Sequence, residues 1–335
     1  MHNKYLVQGA GISGLTLARV LKDKGNFVDI NEKESHLGGM AYDTKTSNYF
    51  VSMSGPRIMH FRDSTKEALN FILKCTKKSD YEHQVVCIGN GTFTFWPPSK
   101  QYIDLFNSFN SHSFVDEFVM GYSKKVWGKD CKEVVGNIKD RFKFKDGYST
   151  NFFEGHETFM PKDGYTEMCK NLAKGINIRF KMKDSIDSLA YDLKKYDKVF
   201  SSAPIDEFFN YKFGKLDYKK TKFSFEYIKT NGSKLLLTPV VNTNAHPEVI
   251  RLTEYNQFYH NNSHIRTIGI ETSDQQLGTP CYPVMTKKNL DLLAKYNDYA
   301  KKYKNLHFFG RLGSYKYLDV DTALQNALDL GKRIK

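Results

Sequence analysis

Three glycines within six residues, Gly9-Ala10-Gly11-Ile12-Ser13-Gly14, follow an apolar triplet and open an amphipathic run, a spacing that can hold phosphate. Gly9 permits a tight turn, Gly11 lets backbone approach a pyrophosphate, and Gly14 lets a helix pack closely on a sheet. The helix beginning there would offer N–H donors and the positive end of its dipole. Glu32 ends the next apolar stretch, where a carboxylate can accept hydrogen bonds from an adenosine ribose. Together they read as a dinucleotide-binding βαβ unit over Lys4 to Glu32, with Ser13 in the turn and Lys33 behind the acid as further contacts. The cysteines carry no comparable pattern. Cys75, Cys87, Cys131, Cys169 and Cys281 are odd in number and show no close pairing, so no disulfide framework is expected and no metal site is assigned.

Around that turn, Tyr5-Leu6-Val7 reads as a buried strand, Leu15 to Lys24 as a helix and Phe27 to Ile30 as a second strand. A helix is expected near Thr65 to Lys74 and a hairpin over Val85 to Phe95, broken at Gly89-Asn90-Gly91. After Pro97-Pro98 the pattern turns helical from Tyr102 to Trp127. Alternation at Phe223, Phe225 and Tyr227, with turn signals at Asn231-Gly232 and Asn261-Asn262, predicts an antiparallel sheet between Thr221 and Thr272. Val199-Phe200 and His307 to Phe309 read as returning strands of the nucleotide domain, and Asp321 to Ile334 as a closing helix.

With 335 residues, 40% hydrophobic and 14% aromatic, the chain can bury a sizeable core. The formal charge of +13 is spread along the chain without a basic block. It therefore reads as a solvated, lysine-rich surface that helps attract phosphorylated ligands, with no nucleic-acid partner. No apolar run reaches the roughly 18 residues of a membrane span, and the N-terminus enters a strand. The expectation is a soluble, cytoplasmic protein.

Gly38-Gly39-Met40, a few residues beyond Glu32, resembles the second fingerprint of glutathione-reductase-like flavoproteins, which implies FAD. Four further segments resemble UDP-galactopyranose mutases of the bacterial type. They are Gly121 to Trp127, Phe152-Phe153 leading to Tyr165, Ala203 to Phe213, and Phe309 to Asp319. The resemblance implies an α/β fold: a discontinuous, Rossmann-like FAD-binding domain of glutathione-reductase type (1–96, 190–215 and 300–335), an inserted small helical domain (97–140) and an antiparallel-sheet substrate domain (141–189 and 216–299).

It also implies a ring contraction of UDP-galactopyranose to UDP-galactofuranose through a flavin N5–sugar adduct, without net redox, the reduced cofactor receiving electrons from NAD(P)H or a reductase. Trp127 is implied at the uridine, with Phe118 and Tyr122 on the same helical face. Arg141 corresponds to a loop arginine that closes on the diphosphate. Arg311 and Tyr317 correspond to phosphate contacts and Asp319 to an acid at the flavin, Arg311 serving the cofactor as well. Tyr282 is implied at the phosphates, Arg251 near the sugar, and Phe152 and Phe153 in the substrate pocket. A homodimer through the helical module is also implied, though that module is shortened here.

Three positions depart from the pattern. Gly55-Pro56-Arg57-Ile58-Met59-His60 puts Arg57 where a histidine is usual beside the flavin, His60 remaining as a second candidate at the reacting centre. Arg57 would reach phosphate or a sugar substituent, which opens UDP-N-acetylgalactosamine or another modified hexose as the substrate. Ile270 stands where a second phosphate cation is expected, with Arg57 or Arg266 as substitutes, and Phe152 replaces a tyrosine. Two other classes share the fold: a redox flavoenzyme, which would consume reductant, and a silent binding protein, which would be colourless.

Overall fold

Alternation of buried apolar residues builds the first sheet. The computed structural model describes residues 2–89, 91–127, 144–147, 149–273 and 279–334. The chain runs β1 (Lys4–Gln8), α1 (Ile12–Asp23), β2 (Phe27–Glu32), β3 (Asp43–Thr46), β4 (Tyr49–Ser52), β5 (Met59–Phe61), α2 (Lys66–Ile72), β6 (Lys78–Asp80), β7 (Val85–Ile88) and β8 (Phe93–Phe95). Next come α3 (Lys100–Phe109), a π-helical turn Val115–Met120, α4 (Gly121–Trp127), β9 (Glu157–Pro161), a helix Gly164–Ala173, β10 (Asn177–Phe180), a helix Ile186–Lys195 and β11 (Lys198–Ser201). The last part holds β12 (Tyr218–Lys229), β13 (Val240–Thr243), β14 (Val249–Glu254), β15 (Ile265–Ser273), β16 (Thr279–Pro283), a helix Lys287–Ala300, β17 (Leu306–Phe308) and a terminal helix Val320–Arg333.

Five parallel strands in the order β10-β2-β1-β11-β17 form the nucleotide sheet. Tyr5 and Val7 face one layer, with Leu15, Leu17 and Leu21 of α1 and Leu324 and Leu328 of the terminal helix. Leu6 faces the other, with Leu189, Phe208 and Tyr296. Burial on both faces is the condition under which a parallel sheet is stable. Truncating a fully buried leucine such as Leu324 to alanine would cost about 2–5 kcal/mol. Gly331 brings the terminal helix against Val20 of α1, and Lys24 Nζ donates to the carbonyls of Gly331, Lys332 and Ile334, satisfying that helix's C-terminal end.

A seven-stranded sheet, β16-β12-β15-β14-β13-β7-β8, carries the other half, antiparallel except where β13 meets β7. This is the sheet expected between Thr221 and Thr272, extended at both edges. The hairpin expected over Val85 to Phe95 forms, but it joins this sheet through β7, away from the nucleotide strands with which its segment was grouped. Conversely, β10 pairs with β2 and the helix Lys287–Ala300 packs on the nucleotide sheet through Leu292 and Tyr296, although both segments were assigned to the substrate domain. Neither segment's own pattern names its partner strand. The helix expected from Tyr102 to Trp127 is broken by an irregular turn after Phe109 and by the π-helical turn.

Candidate active site

The two glycine segments face each other across one cleft. Gly9 has φ of +102°, Gly38 N–H donates to Ala10 O at 2.9 Å, and a Cβ on Gly39 would come within 3.2 Å of Gly11 Cα. A side chain at Gly38 or Gly39 would also need a left-handed backbone, since their φ values are +96° and +53°. Gly11 sits at the N-cap of α1, where no side chain caps the helix. The first-turn donors thus open toward the cleft. The cavity has a volume of about 490 Å³ and is lined by Gly9, Gly11, Ser13, Gly14, Glu32, Lys33, Gly38, Gly39 and Met40, which are all of the expected cofactor residues except Asp319, together with Arg311.

Glu32 is buried and held in place: Oε2 accepts from Ala10 N–H at 2.6 Å and Oε1 from Glu34 N–H at 2.8 Å. Each oxygen keeps a second lone pair for a ribose hydroxyl. Buried polar atoms in the wall agree with a bound polar group. Gln8 and Asn31 line the cavity, and Gln8 Nε2 and Oε1 and Asn31 Oδ1 are buried there without a hydrogen-bond partner among the described residues, an arrangement that is costly unless a polar group joins them. FAD fits on these grounds. The sequence reading missed Gln8, Asn31 and Asp184. Asn31 Nδ2 donates to Asp184 Oδ1 at 2.8 Å, and burial pushes the Asp184 carboxyl up to about 6 despite that bond.

Arg311 stands at the far wall, with its guanidinium carbon 5.2 Å from the Tyr282 ring and 5.3 Å from the Tyr317 ring. The two rings stack at 5.5 Å with 26° between planes. Arg311 Nε donates to Leu318 O at 3.1 Å and Nη1 to Cys281 O at 3.5 Å. Three residues named from the sequence thus converge, as a planar cation beside a pair of adjacent aromatic rings. Arg57 lines the same cavity, its Nη1 donating to Pro56 O at 3.1 Å.

On the seven-stranded sheet, Arg251 donates through Nε to Asn242 Oδ1 at 2.9 Å and lies 3.3 Å from Glu271 Oε2. Tyr122 of α4 closes this group, 3.4 Å from Asn242 Oδ1, and burial pushes its hydroxyl up to about 12. Asn242 and Glu271 gave no signal in the sequence, because cross-strand register brings them to Arg251. Glu254, the sequence neighbour of Arg251, instead takes Arg266 in a fully buried pair at 2.5 Å. Arg266 is therefore no substitute phosphate ligand. Strand alternation turns Ile270 to the face opposite Glu271, so a cation at 270 would not join Arg251.

His60 stacks on Phe153 at 4.0 Å, and burial lowers its pKa against the opposing pull of Asp319 and Asp321. Phe152 lies beside His83, and neither Phe152 nor Phe153 lines the cofactor cavity. Asp319 precedes the terminal helix and pairs with Arg62 at 2.7 Å. Arg62 also holds the buried Asp321 at 2.8 Å. That guanidinium thus already pairs with two of the three members of the His60, Asp319 and Asp321 cluster, and the sequence reading missed it. Burial raises the Asp319 pKa, but Arg62 outweighs it and the net shift is down. Val320 and Ala323 bring the terminal helix's first turn to the cavity.

Phe118 lies within the π-helical turn, is buried in the helical module and stacks on Phe114 at 4.7 Å. Trp127 ends α4, and Arg141 lies outside the described residues.

A model of the UDP-galactopyranose mutase family matches residues 117–317, and one for an NAD(P)-binding Rossmann-like domain matches residues 7–72. A protein named probable UDP-galactopyranose mutase from Klebsiella pneumoniae is 28% identical over 98% of this chain and 94% of its own length. The dTDP-fucopyranose mutase of Escherichia coli is 27% identical over 98% of this chain and 97% of its own. The crystal structure of a reduced UDP-galactopyranose mutase superposes with a TM-score of 0.76 at 13% identity, covering 100% of this chain and 94% of that one. With a family match over more than half its length and relatives aligned nearly end to end, the chain belongs to the UDP-galactopyranose mutase family.

Proposed function

We propose that this chain, with FAD, interconverts the pyranose and furanose forms of a nucleotide sugar, UDP-galactose first, without net redox. The observation that carries the reading is the convergence of Arg311, Tyr282 and Tyr317 at the cofactor cleft. An apolar-substrate oxidase has no need of a guanidinium set beside two tyrosines, whereas a departing diphosphate does. In its reduced form the bound cofactor supplies a nitrogen nucleophile toward the anomeric carbon, with NAD(P)H or a reductase as the electron source.

The chain's own residues do the remaining work. The α1 N-terminus and the two glycine segments hold the cofactor's diphosphate, and Glu32 holds its ribose. Arg311 neutralises the substrate diphosphate as the sugar bond breaks, its fork fixed by the Leu318 carbonyl. Arg251, clamped by Asn242 and Glu271, presents charge and hydrogen bonds near the sugar. Arg141 adds a second guanidinium to the diphosphate. His60, kept toward its neutral form by burial and held against Phe153, positions the reacting face. The same reading places the enzyme in the cytoplasm and admits a homodimer. Among the described residues no helix is long and apolar enough to cross a membrane.

Arg57 favours a second reading, in which the sugar or base differs from UDP-galactose. The similarity to a dTDP-fucopyranose mutase agrees with such latitude. The deciding experiment incubates dithionite-reduced protein with UDP-galactofuranose, UDP-N-acetylgalactosamine and dTDP-fucose and resolves the products by chromatography. Ring-isomerised product without stoichiometric use of reductant is the expected outcome. Absence of product from all of them would overturn the mutase reading.

A further inference from the structure

Lys219 on β12 is 0% exposed, and nothing above accounts for a cation there. It shares the inner face of the seven-stranded sheet with Thr221 and Phe223. Register sets it directly across from Tyr282, next to a bulge between Lys219 and Lys220. Among the described residues its ammonium makes one hydrogen bond, to Ser273 Oγ at the end of β15. An ammonium has three donors and loses strong hydration on burial, so one hydroxyl leaves it undersupplied.

The described residues around it do not provide the missing anion. The carboxylate on this face is Glu271, already in contact with Arg251 at 3.3 Å. The other ionisable groups facing Lys219 are Cys281 and Tyr282 on β16, neither of which is a carboxylate. Arg57 and Arg311 also act on Cys281. Glu271 is thus the carboxylate that Lys219 and Arg251 have in common, and it shares the surroundings of Cys281 with Arg57 and Arg311, which also line the cofactor cavity with Glu32 and Asp184. A dianion with the charge of a diphosphate would offset the positive charge that Lys219 adds there.

We propose that Lys219 is a further substrate-recognition residue, supplying positive potential behind Tyr282 that holds the diphosphate of the nucleotide sugar against Arg311. This rests on the mutase reading for the identity of the anion. It also provides the second interior cation that was expected at position 270, from a neighbouring strand and on the correct face. Burial lowers the lysine to about 8, with Glu271 opposing. The charge is therefore present at neutral pH and lost a little above it, unless a bound anion retains it.

The test measures binding of UDP-galactose and dTDP-fucose to the oxidised, FAD-loaded protein between about pH 6.5 and 9, a range in which a diphosphate diester keeps its charge. Wild-type affinity should fall as pH rises through about 8. Lys219→Met should bind roughly tenfold or more weakly at pH 7 and lose the pH dependence, with flavin absorbance and melting temperature retained. Lys219→Arg should restore affinity and remove the step at pH 8. A flat wild-type profile, or Lys219→Met binding as tightly as wild type, overturns the proposal. The wild-type profile decides the matter even if Lys219→Met fails to fold. If wild type isomerises a nucleotide sugar but binds it with a flat profile, only the Lys219 role falls. If wild type neither binds nor isomerises any of them, the mutase reading falls with it.

Discussion

Replacing Gly14 by alanine sets two physical effects against each other. In a helix interior the exchange should stabilise by about 1 kcal/mol through propensity alone. Yet a Cβ at Gly14 would lie 1.9 Å from Gly9 O and 3.0 Å from Gly9 C, with Val7 Cγ1 at 3.5 Å. Carbon and oxygen in contact need about 3.3 Å, so the first turn of α1 must retreat by more than about 1 Å. Overpacking of that kind costs about 1–3 kcal/mol or more, which cancels or reverses the propensity gain in the free protein. The larger effect falls on the cofactor. A retreat of that size lengthens the bonds from the helix N-terminus to a diphosphate, and two charge-assisted bonds at about 1.5–3 kcal/mol each convert to more than about a hundredfold in affinity. The assay is flavin absorbance per chain after gel filtration, together with FAD titration of the apoprotein and melting with and without FAD. Gly147→Ala, which meets nothing within 4 Å, serves as the control. If Gly14→Ala retains stoichiometric FAD at wild-type affinity, the close-approach argument is wrong.

Arg311→Lys should lower kcat/KM by about a hundredfold or more while FAD stays bound, because an ammonium can neither span the Leu318 and Cys281 carbonyls nor present a flat face to the two tyrosine rings. Unchanged kinetics would remove Arg311 from the site. Arg57→His should shift the ratio of rates on UDP-galactose and UDP-N-acetylgalactosamine, and a constant ratio would refute its part in specificity. Asp184 carries a folded pKa raised to about 6 by burial. Between its unfolded value near 4 and about 6, the folded apoprotein therefore binds more protons, and this contribution to stability is full below about 4 and lost as pH rises through about 6. Asp184→Asn should accordingly equal wild type at acid pH and exceed it by roughly 1–2 kcal/mol at pH 7, the shift being discounted for the group's partial exposure. Urea midpoints of the apoproteins at pH 4 and pH 7 measure this, and parallel curves would contradict it.

The cofactor half of the site was legible because its signals are local. Gly9, Gly11, Gly14, Glu32, Gly38 and Gly39 act through backbone shape within short segments. Arg311 and Tyr317 likewise belong to one stretch, and the structure adds Tyr282 to them. What escaped reading depends on pairing between strands distant in sequence. Arg251 and Glu254 look like partners three residues apart, but register gives Glu271 to one and Arg266 to the other. Asn242, Arg62 and Asp184 carry no motif of their own and matter only for what tertiary packing sets beside them. Spacing alone assumes a regular helix, and the π-helical turn at Val115–Met120, with Phe118 stacked on Phe114, is not visible in it.

The packing of α1 against the terminal helix has a consequence for biosynthesis. The cofactor cavity takes one wall from residues 9–14 and another from Gly310 to Ala323, and Lys24 ties the two helices together at Gly331 to Ile334. A nascent chain on the ribosome therefore displays the glycine turn long before it holds residues 310 to 323 of the opposite wall. Flavin capture waits for that wall. Emergence of residues 310 to 334 from the exit tunnel, rather than synthesis of the nucleotide motif, sets when the protein can turn yellow.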